Sequence, residues 1–156
     1  MSHSQARSPQ QALAIFVGHT DCRWLRCLRA GFRHCFVALR DGNTWLTCDP
    51  LKDRIELRVL PVPPDFDLSG HYAGQGHMVL RGLARSDLPR RLPALVPLTC
   101  VTVAKRLLGV QAPWVLSPWQ LCKRLRSPLH GFVEIPRARP PVELPGADSK
   151  LDSERV

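Results

Sequence analysis

The feature that most constrains the fold is the pair Asp41-Gly42, which stands between two runs of apolar residues, 32–39 and 44–48. An Asp-Gly pair between two such runs is a strong short-range sign of a β-hairpin, because both residues tolerate the backbone angles of a tight turn. The sequence therefore predicts two antiparallel strands, joined directly, in the first third of the chain.

The length of the turn decides which residues face each other across this hairpin. If the turn has two residues, His34 lies opposite Asp49 and Cys35 lies opposite Cys48. If the turn has three residues, the pairing shifts by one, so that His34 faces Pro50 and Asp49 is its near neighbour. Both registers predict that the side chains of His34 and Asp49 can reach each other.

Apolar patterns predict further elements along the chain. The predicted strands are 13–17, 55–62 and 78–83, and a predicted helix runs from Thr20 or Asp21 to Ala30. The rest of segment 63–98 is rich in Gly, His and Pro, and it gives no clear pattern.

Two later helices have well-defined beginnings. Thr99 is a suitable N-cap for a helix that ends at Leu108 before Gly109, and this places Cys100 in the first helical turn. Ser117 begins the second helix, because the sequence from 117 to 120 combines an N-cap, a proline at the first position and a glutamine that completes a capping box.

The composition is typical of one globular domain. The chain has 156 residues, of which 44% are hydrophobic and 22% are charged, and a chain of this kind can fold around its own core. We predict a disordered leader over 1–12, a single domain over 13–132 and a disordered tail over 133–156. The sequence contains no apolar run long enough for a membrane span, and residues 1–11 lack the apolar core of a signal peptide.

The net charge of +9 permits an anionic partner without requiring one. Arg23, Arg26 and Arg29 fall on one side of the predicted helix, and Arg33 follows closely. Nucleic acid is a partner that we do not favour, because the basic residues are spread along the chain and aromatic residues are scarce. Arginines on a solvated surface are the plainer interpretation.

The cysteines do not predict a metal site or a cofactor. The chain has six of them, at positions 22, 27, 35, 48, 100 and 122, with no Cys-x-x-Cys pair and no zinc-finger spacing. Without a signal peptide, free thiols in a reducing compartment are expected.

Three residues form a candidate catalytic set: Cys100, His34 and Asp49. A helix N-terminus favours a thiolate, but only by about 1 kcal/mol, so that activation also needs an imidazolium nearby. A carboxylate across the hairpin would orient that imidazole, and the backbone N–H of Cys100 would serve as an oxyanion donor.

Each of these residues also has a plainer interpretation. Cysteines in helices are mostly core residues, a histidine at a strand end is often exposed, and Asp-Pro commonly opens a turn. His19, His71 and His77 are competing candidates for the base. The other five cysteines are expected to be core residues.

Two segments resemble a known family. The sequence over 31–39, 41–42 and 45–50 resembles the histidine hairpin of circularly permuted papain-like cysteine hydrolases, which are related to the NlpC/P60 cell-wall peptidases. The sequence over 98–109, with Trp114 and 117–121 after it, resembles the nucleophile helix of that family and the helix that follows. The resemblance implies an α+β fold of the permuted papain-like type, in which a small antiparallel sheet packs against the nucleophile helix. It also implies that Cys100 is the nucleophile, His34 the base and Asp49 the orienting residue.

The hypothesis that follows is a cysteine peptidase or amidase, a hydrolase that forms an acyl-enzyme on Cys100. Its partner would be a peptide or a peptidoglycan-like amide. Small proteins of this kind occur in tailed phages, so that phage virion proteins are further candidate partners and the expected location is the cytoplasm or the virion. The alternative is a catalytically inactive member that serves as a phage structural module or as an anion-binding or nucleic-acid-binding module.

Overall fold

The structure, a computed structural model, describes residues 10–19, 27–85 and 99–137. Within these ranges it contains six strands and three helices. In chain order they are β1 (Gln10–Val17), β2 (His34–Asp41), β3 (Thr44–Pro50), β4 (Ile55–Leu60), α1 (Leu68–Gly74), β5 (Met78–Ala84), α2 (Cys100–Leu108), α3 (Pro118–Leu125) and β6 (Val133–Ile135). The strands form one sheet in the order β4-β3-β2-β1-β5-β6, and all neighbouring strands are antiparallel.

The predicted α+β fold of the permuted papain-like type, with a small sheet, is wrong. Strands account for 36% of the described residues and helices for 23%, so that the molecule is mostly a six-stranded antiparallel sheet with three short helices. The prediction underestimated the sheet because parts of the predicted leader and of the predicted tail join it. Residues 10–12 belong to β1, and residues 133–135 form β6.

Several other predictions were close. The strand expected at 78–83 is confirmed as β5, and the strand expected at 55–62 is present as β4, which ends at Leu60 before the prolines. The unassigned segment also contains α1, which is capped by Asp67. Residues 20–26 of the predicted first helix lie outside the described residues, and 27–30 form no α-helix.

The two faces of the sheet carry separate cores, and β1 contributes to both. Ala12, Ala14 and Phe16 face α2 and α3, whereas Leu13 and Ile15 face α1. All five of these residues are at most 1% exposed. A central strand covered on both faces is apolar at every position rather than alternating, which explains why β1 appears in the sequence as a short continuous apolar run.

The turn of the predicted hairpin lies one residue later than expected. Asp41 pairs with Thr44, and Gly42 and Asn43 form the two-residue turn. Gly42 has a φ of +57°, which favours glycine at the first position of such a turn. Neither predicted register is therefore correct, since Cys48 lies opposite Val37 rather than Cys35. The observed register differs from the predicted two-residue register by two positions, which keeps every side chain on its expected face.

Both predicted helix starts are confirmed. The Thr99 side chain accepts a hydrogen bond from the backbone of Thr102, and the Thr102 hydroxyl accepts one from the backbone N–H of Thr99. The Ser117 and Gln120 side chains make the equivalent pair of bonds at the start of α3. These caps fix where α2 begins, and Cys100 is its first residue.

Candidate active site

His34 and Asp49 are in direct contact. The Nε2–H group of His34 donates a hydrogen bond to Oδ1 of Asp49 over 2.7 Å, and both side chains are partly shielded from solvent. The register of the hairpin explains the contact. Continued by one pair beyond Val37 and Cys48, it puts Phe36 opposite Asp49, so that His34 is the diagonal neighbour of Asp49 on the same face.

The bond to Asp49 determines how the imidazole is presented. Because Nε2 faces the carboxylate, Nδ1 is the ring nitrogen left for a second partner. Cys100 interacts with His34, and each side chain shifts the pKa of the other, so that Nδ1 is the nitrogen available to the Cys100 sulfur. The structure therefore brings together all three residues of the predicted set.

Cys100 is also hydrogen-bonded to Cys35, the residue that follows His34. Successive residues of a strand point to opposite faces of the sheet, and Cys35 belongs to the core under α2 whereas Phe36 lies on the side of α1. One sulfur atom can interact with both His34 and Cys35 because they are the first two residues of β2, beside the start of α2.

The electrostatics of the site favour a thiolate on Cys100. A hydrogen bond from the Cys35 thiol is the largest cause that lowers the pKa of Cys100, from 9.0 to about 5. Burial acts in the opposite direction, and the hydrogen bond and positive charge of His34 add to the lowering. The positive end of the α2 dipole, at the first turn of the helix, favours the same charge state.

The same contacts favour an imidazolium on His34. Burial alone would lower the pKa of His34, but the hydrogen bonds to Asp49 and Cys100 outweigh burial and raise the pKa to about 9. At neutral pH the site therefore contains a thiolate beside an imidazolium. This is the charge state in which a cysteine attacks a carbonyl and a histidine can protonate a leaving group.

Cys35 is the residue of the site that sequence reasoning missed, since it was expected to be an inert core residue. It is 1% exposed. Its burial and its hydrogen bond to Cys100 raise its pKa well above the usual value, with the hydrogen bond as the larger cause. Cys35 therefore stays a neutral thiol and acts as a donor. The sequence feature that could have identified Cys35 is its position directly after His34, on the face of β2 against which an apolar helix must pack.

The competing histidines occupy other surroundings. His71 lies in α1, where its ring packs against Phe66 and Tyr72, and α1 covers the opposite face of the sheet from α2. The ring of His77 packs against Tyr72, and burial lowers the pKa of His77. His19 lies two residues beyond the end of β1.

The predicted arginine patch is only partly described, because Arg23 and Arg26 lie outside the described residues. The Arg29 guanidinium lies 4.0 Å from the centre of the Trp119 ring. Arg33 donates to the carbonyl oxygen of Gly18 over 3.4 Å. These two side chains thus make contacts within the protein.

A cavity of about 250 Å³ opens beside the site, with Asp49 in its wall. The other residues that line it come from β2, β3, β4 and α1: Phe36, Thr47, Glu56, Arg58, Leu60 and Tyr72. Asp49 therefore contacts His34 and also borders a space that a small group could enter.

The described residues contain no cluster of three or more His, Cys, Asp or Glu side chains suited to a metal ion. None of α1, α2 and α3, the helices of the described ranges, is long and apolar enough to cross a bilayer. Comparison of the chain with protein-family models, with curated proteins and with solved structures finds no match.

Proposed function

We propose that the protein is a cysteine-dependent amide hydrolase that works through an acyl-enzyme on Cys100. One observation carries the proposal: a thiolate at the start of a helix lies beside an imidazolium that is itself hydrogen-bonded to a carboxylate. A cysteine with only a structural role needs none of these arrangements. The proposal rests on these side chains and not on the fold, because the sheet differs from the one that the family resemblance implied.

In the first half of the reaction, the Cys100 thiolate attacks the amide carbonyl carbon. The negative charge that develops on the oxygen is stabilised by backbone N–H groups at the start of α2, including that of Cys100. His34 then gives its proton to the amide nitrogen, which leaves as an amine, and the acyl group stays on the sulfur.

In the second half, neutral His34 takes a proton from a water molecule as the water attacks the thioester. The acid leaves and the thiolate is restored. Asp49 holds the imidazole in one orientation during both halves and stabilises its charged form. Cys35 supplies a hydrogen bond to the sulfur each time the thiolate reappears.

The substrate class is inferred from the motif resemblance alone. The similarity of the two segments to permuted papain-like hydrolases favours a peptide, with the stem peptides of peptidoglycan as the first substrate to test. Another protein and a lipid amide are the other candidates. A phage particle or the cytoplasm is the setting in which we expect the activity.

An activated ester tests the proposal without knowledge of the substrate. We expect p-nitrophenyl acetate to acetylate the protein at Cys100, as a mass increase on one peptide accompanied by a burst of nitrophenol. The same variants are then assayed on peptidoglycan fragments. Cys100→Ala should abolish both activities. Cys122→Ala, which removes a buried cysteine of α3, is the matched control and should keep them. Equal activity in the two variants would refute the proposal.

A further inference from the structure

The strand β4 lies at one edge of the sheet. It pairs with β3 on one side, and no described residue pairs with its other side. The outer backbone groups of an edge strand are a ready template for another strand. Natural edge strands usually carry features that prevent such pairing, so the side chains of β4 decide whether its edge is protected or available.

The side chains of β4 alternate between two kinds of surface. Ile55, Leu57 and Val59 point to one face and are 42%, 73% and 63% exposed. Glu56 and Arg58 point to the other face, where the Arg58 guanidinium lies 2.6 Å from the Glu56 carboxylate. The strand thus combines an exposed apolar stripe with one negative and one positive charge, spaced two residues apart.

We propose that β4 pairs antiparallel with β4 of a second copy of this chain, about a two-fold axis at Leu57. In this register, Glu56 of each copy lies opposite Arg58 of the other, and Ile55 lies opposite Val59. Leu57 faces its own symmetry mate. The contact is self-complementary, as a two-fold interface requires, and strand addition at a sheet edge is a common mode of protein recognition.

Charge selects this register over its neighbours. An axis at Glu56 or at Arg58 places like charges directly opposite each other, which destabilises an antiparallel pair. An axis between two residues pairs odd-numbered residues of one copy with even-numbered residues of the other. The charged residues of each copy would then lie opposite apolar residues of its partner. Leu57 is therefore the centre at which opposite charges meet and the apolar stripes of the two copies become continuous.

Charge reversal tests the contact directly. Arg58→Glu leaves two negative charges on each β4, and Glu56→Arg leaves two positive charges. Each change converts two attractive pairs into two repulsive ones, and we expect the dissociation constant of the dimer to rise on the order of tenfold or more. Because Arg58 is 65% exposed and Glu56 is 29% exposed, circular dichroism should show that both variants remain folded.

Mixing the two variants supplies the decisive measurement. By analytical ultracentrifugation, each variant alone should be mainly monomeric at a concentration where the wild type is dimeric. An equimolar mixture should form heterodimers, since two negative charges then face two positive ones. The double variant Glu56→Arg with Arg58→Glu should dimerise again. A monomeric wild type, dimers in either single variant, or a mixture that stays monomeric would overturn the proposal.

Discussion

Replacing His34 by alanine removes one of the groups that keep Cys100 ionised. With a pKa of about 5 instead of 9.0, Cys100 is about 99% thiolate at pH 7, whereas an ordinary thiol of that kind is about 1% thiolate. His34 contributes a hydrogen bond and a charge to this difference, while the larger contribution of Cys35 remains in the variant. We therefore expect the pKa of Cys100 in His34→Ala to rise part of the way back towards 9.0.

The reaction rate at pH 7 is a poor measure of this change. A thiolate of lower pKa is intrinsically less nucleophilic, and a fall of about four pKa units lowers its rate constant by about 40- to 100-fold. This loss nearly cancels the hundredfold gain in thiolate at pH 7. At pH 6 the gain in thiolate is about 900-fold, which leaves the wild-type cysteine roughly ten- to twentyfold faster than an unperturbed thiol.

The assay is therefore the pH profile of alkylation at Cys100. The rate with iodoacetamide is measured by peptide mapping from about pH 4 to about pH 10, which separates Cys100 from the other cysteines. The midpoint should lie near 5 in the wild type, higher in His34→Ala, and highest when Cys35 is also replaced by alanine. His71→Ala, a histidine change on the other face of the sheet, should leave the midpoint unchanged. An unchanged midpoint in His34→Ala would refute the assigned contact.

Three further predictions follow from the same contacts and one from the core. The rate of hydrolysis should show a bell-shaped pH profile. It should rise through about pH 5 as Cys100 loses its proton and fall through about pH 9 as His34 loses the proton that the leaving amine needs. A profile with a single limb would contradict this. Asp49→Asn should lower kcat by about a hundredfold or more with little change in KM, as steady-state kinetics can check. Cys35→Ala should raise the alkylation midpoint of Cys100, whereas Cys35→Ser should keep it low, because the serine hydroxyl is also a donor. Gly82→Ala should lower the free energy of unfolding in urea by about 1–3 kcal/mol, since a Cβ there would lie 2.6 Å from the Phe132 ring, and an unchanged midpoint of unfolding would contradict it.

The sequence predicted the parts of the fold that depend on local rules. The starts of α2 and α3 follow from caps that lie within four residues of each helix, and the β2–β3 hairpin follows from its turn residues. His34 reaches Asp49 although both predicted registers were wrong. The register of the two-residue turn was wrong by two residues, and an even shift in a strand preserves the face on which a side chain lies.

The parts that failed depend on contacts between distant segments. The three residues of β6 join the sheet only by pairing with β5, and so short a strand has too few residues for a pattern. Gln10 and Gln11 belong to a polar leader by composition, yet they extend β1 because Ala84 and Leu83 of β5 pair with them. The donor role of Cys35 depends on where α2 begins in space, which no local pattern encodes.

Because His34 and Cys35 are the first two residues of β2, the proposed catalysis depends on how β2 is aligned in the sheet. A slip of β2 by one residue along β1 would exchange the imidazole and the buried thiol between the two sides of the sheet. Ala14 and Ile15 pair with Val37 and Phe36, close to this end of β2, so that a substitution there that shifted the register would move both groups away from Cys100 while most of the sheet remained paired. The alignment of β1 with β2 therefore bears on the proposed reaction as well as on the fold.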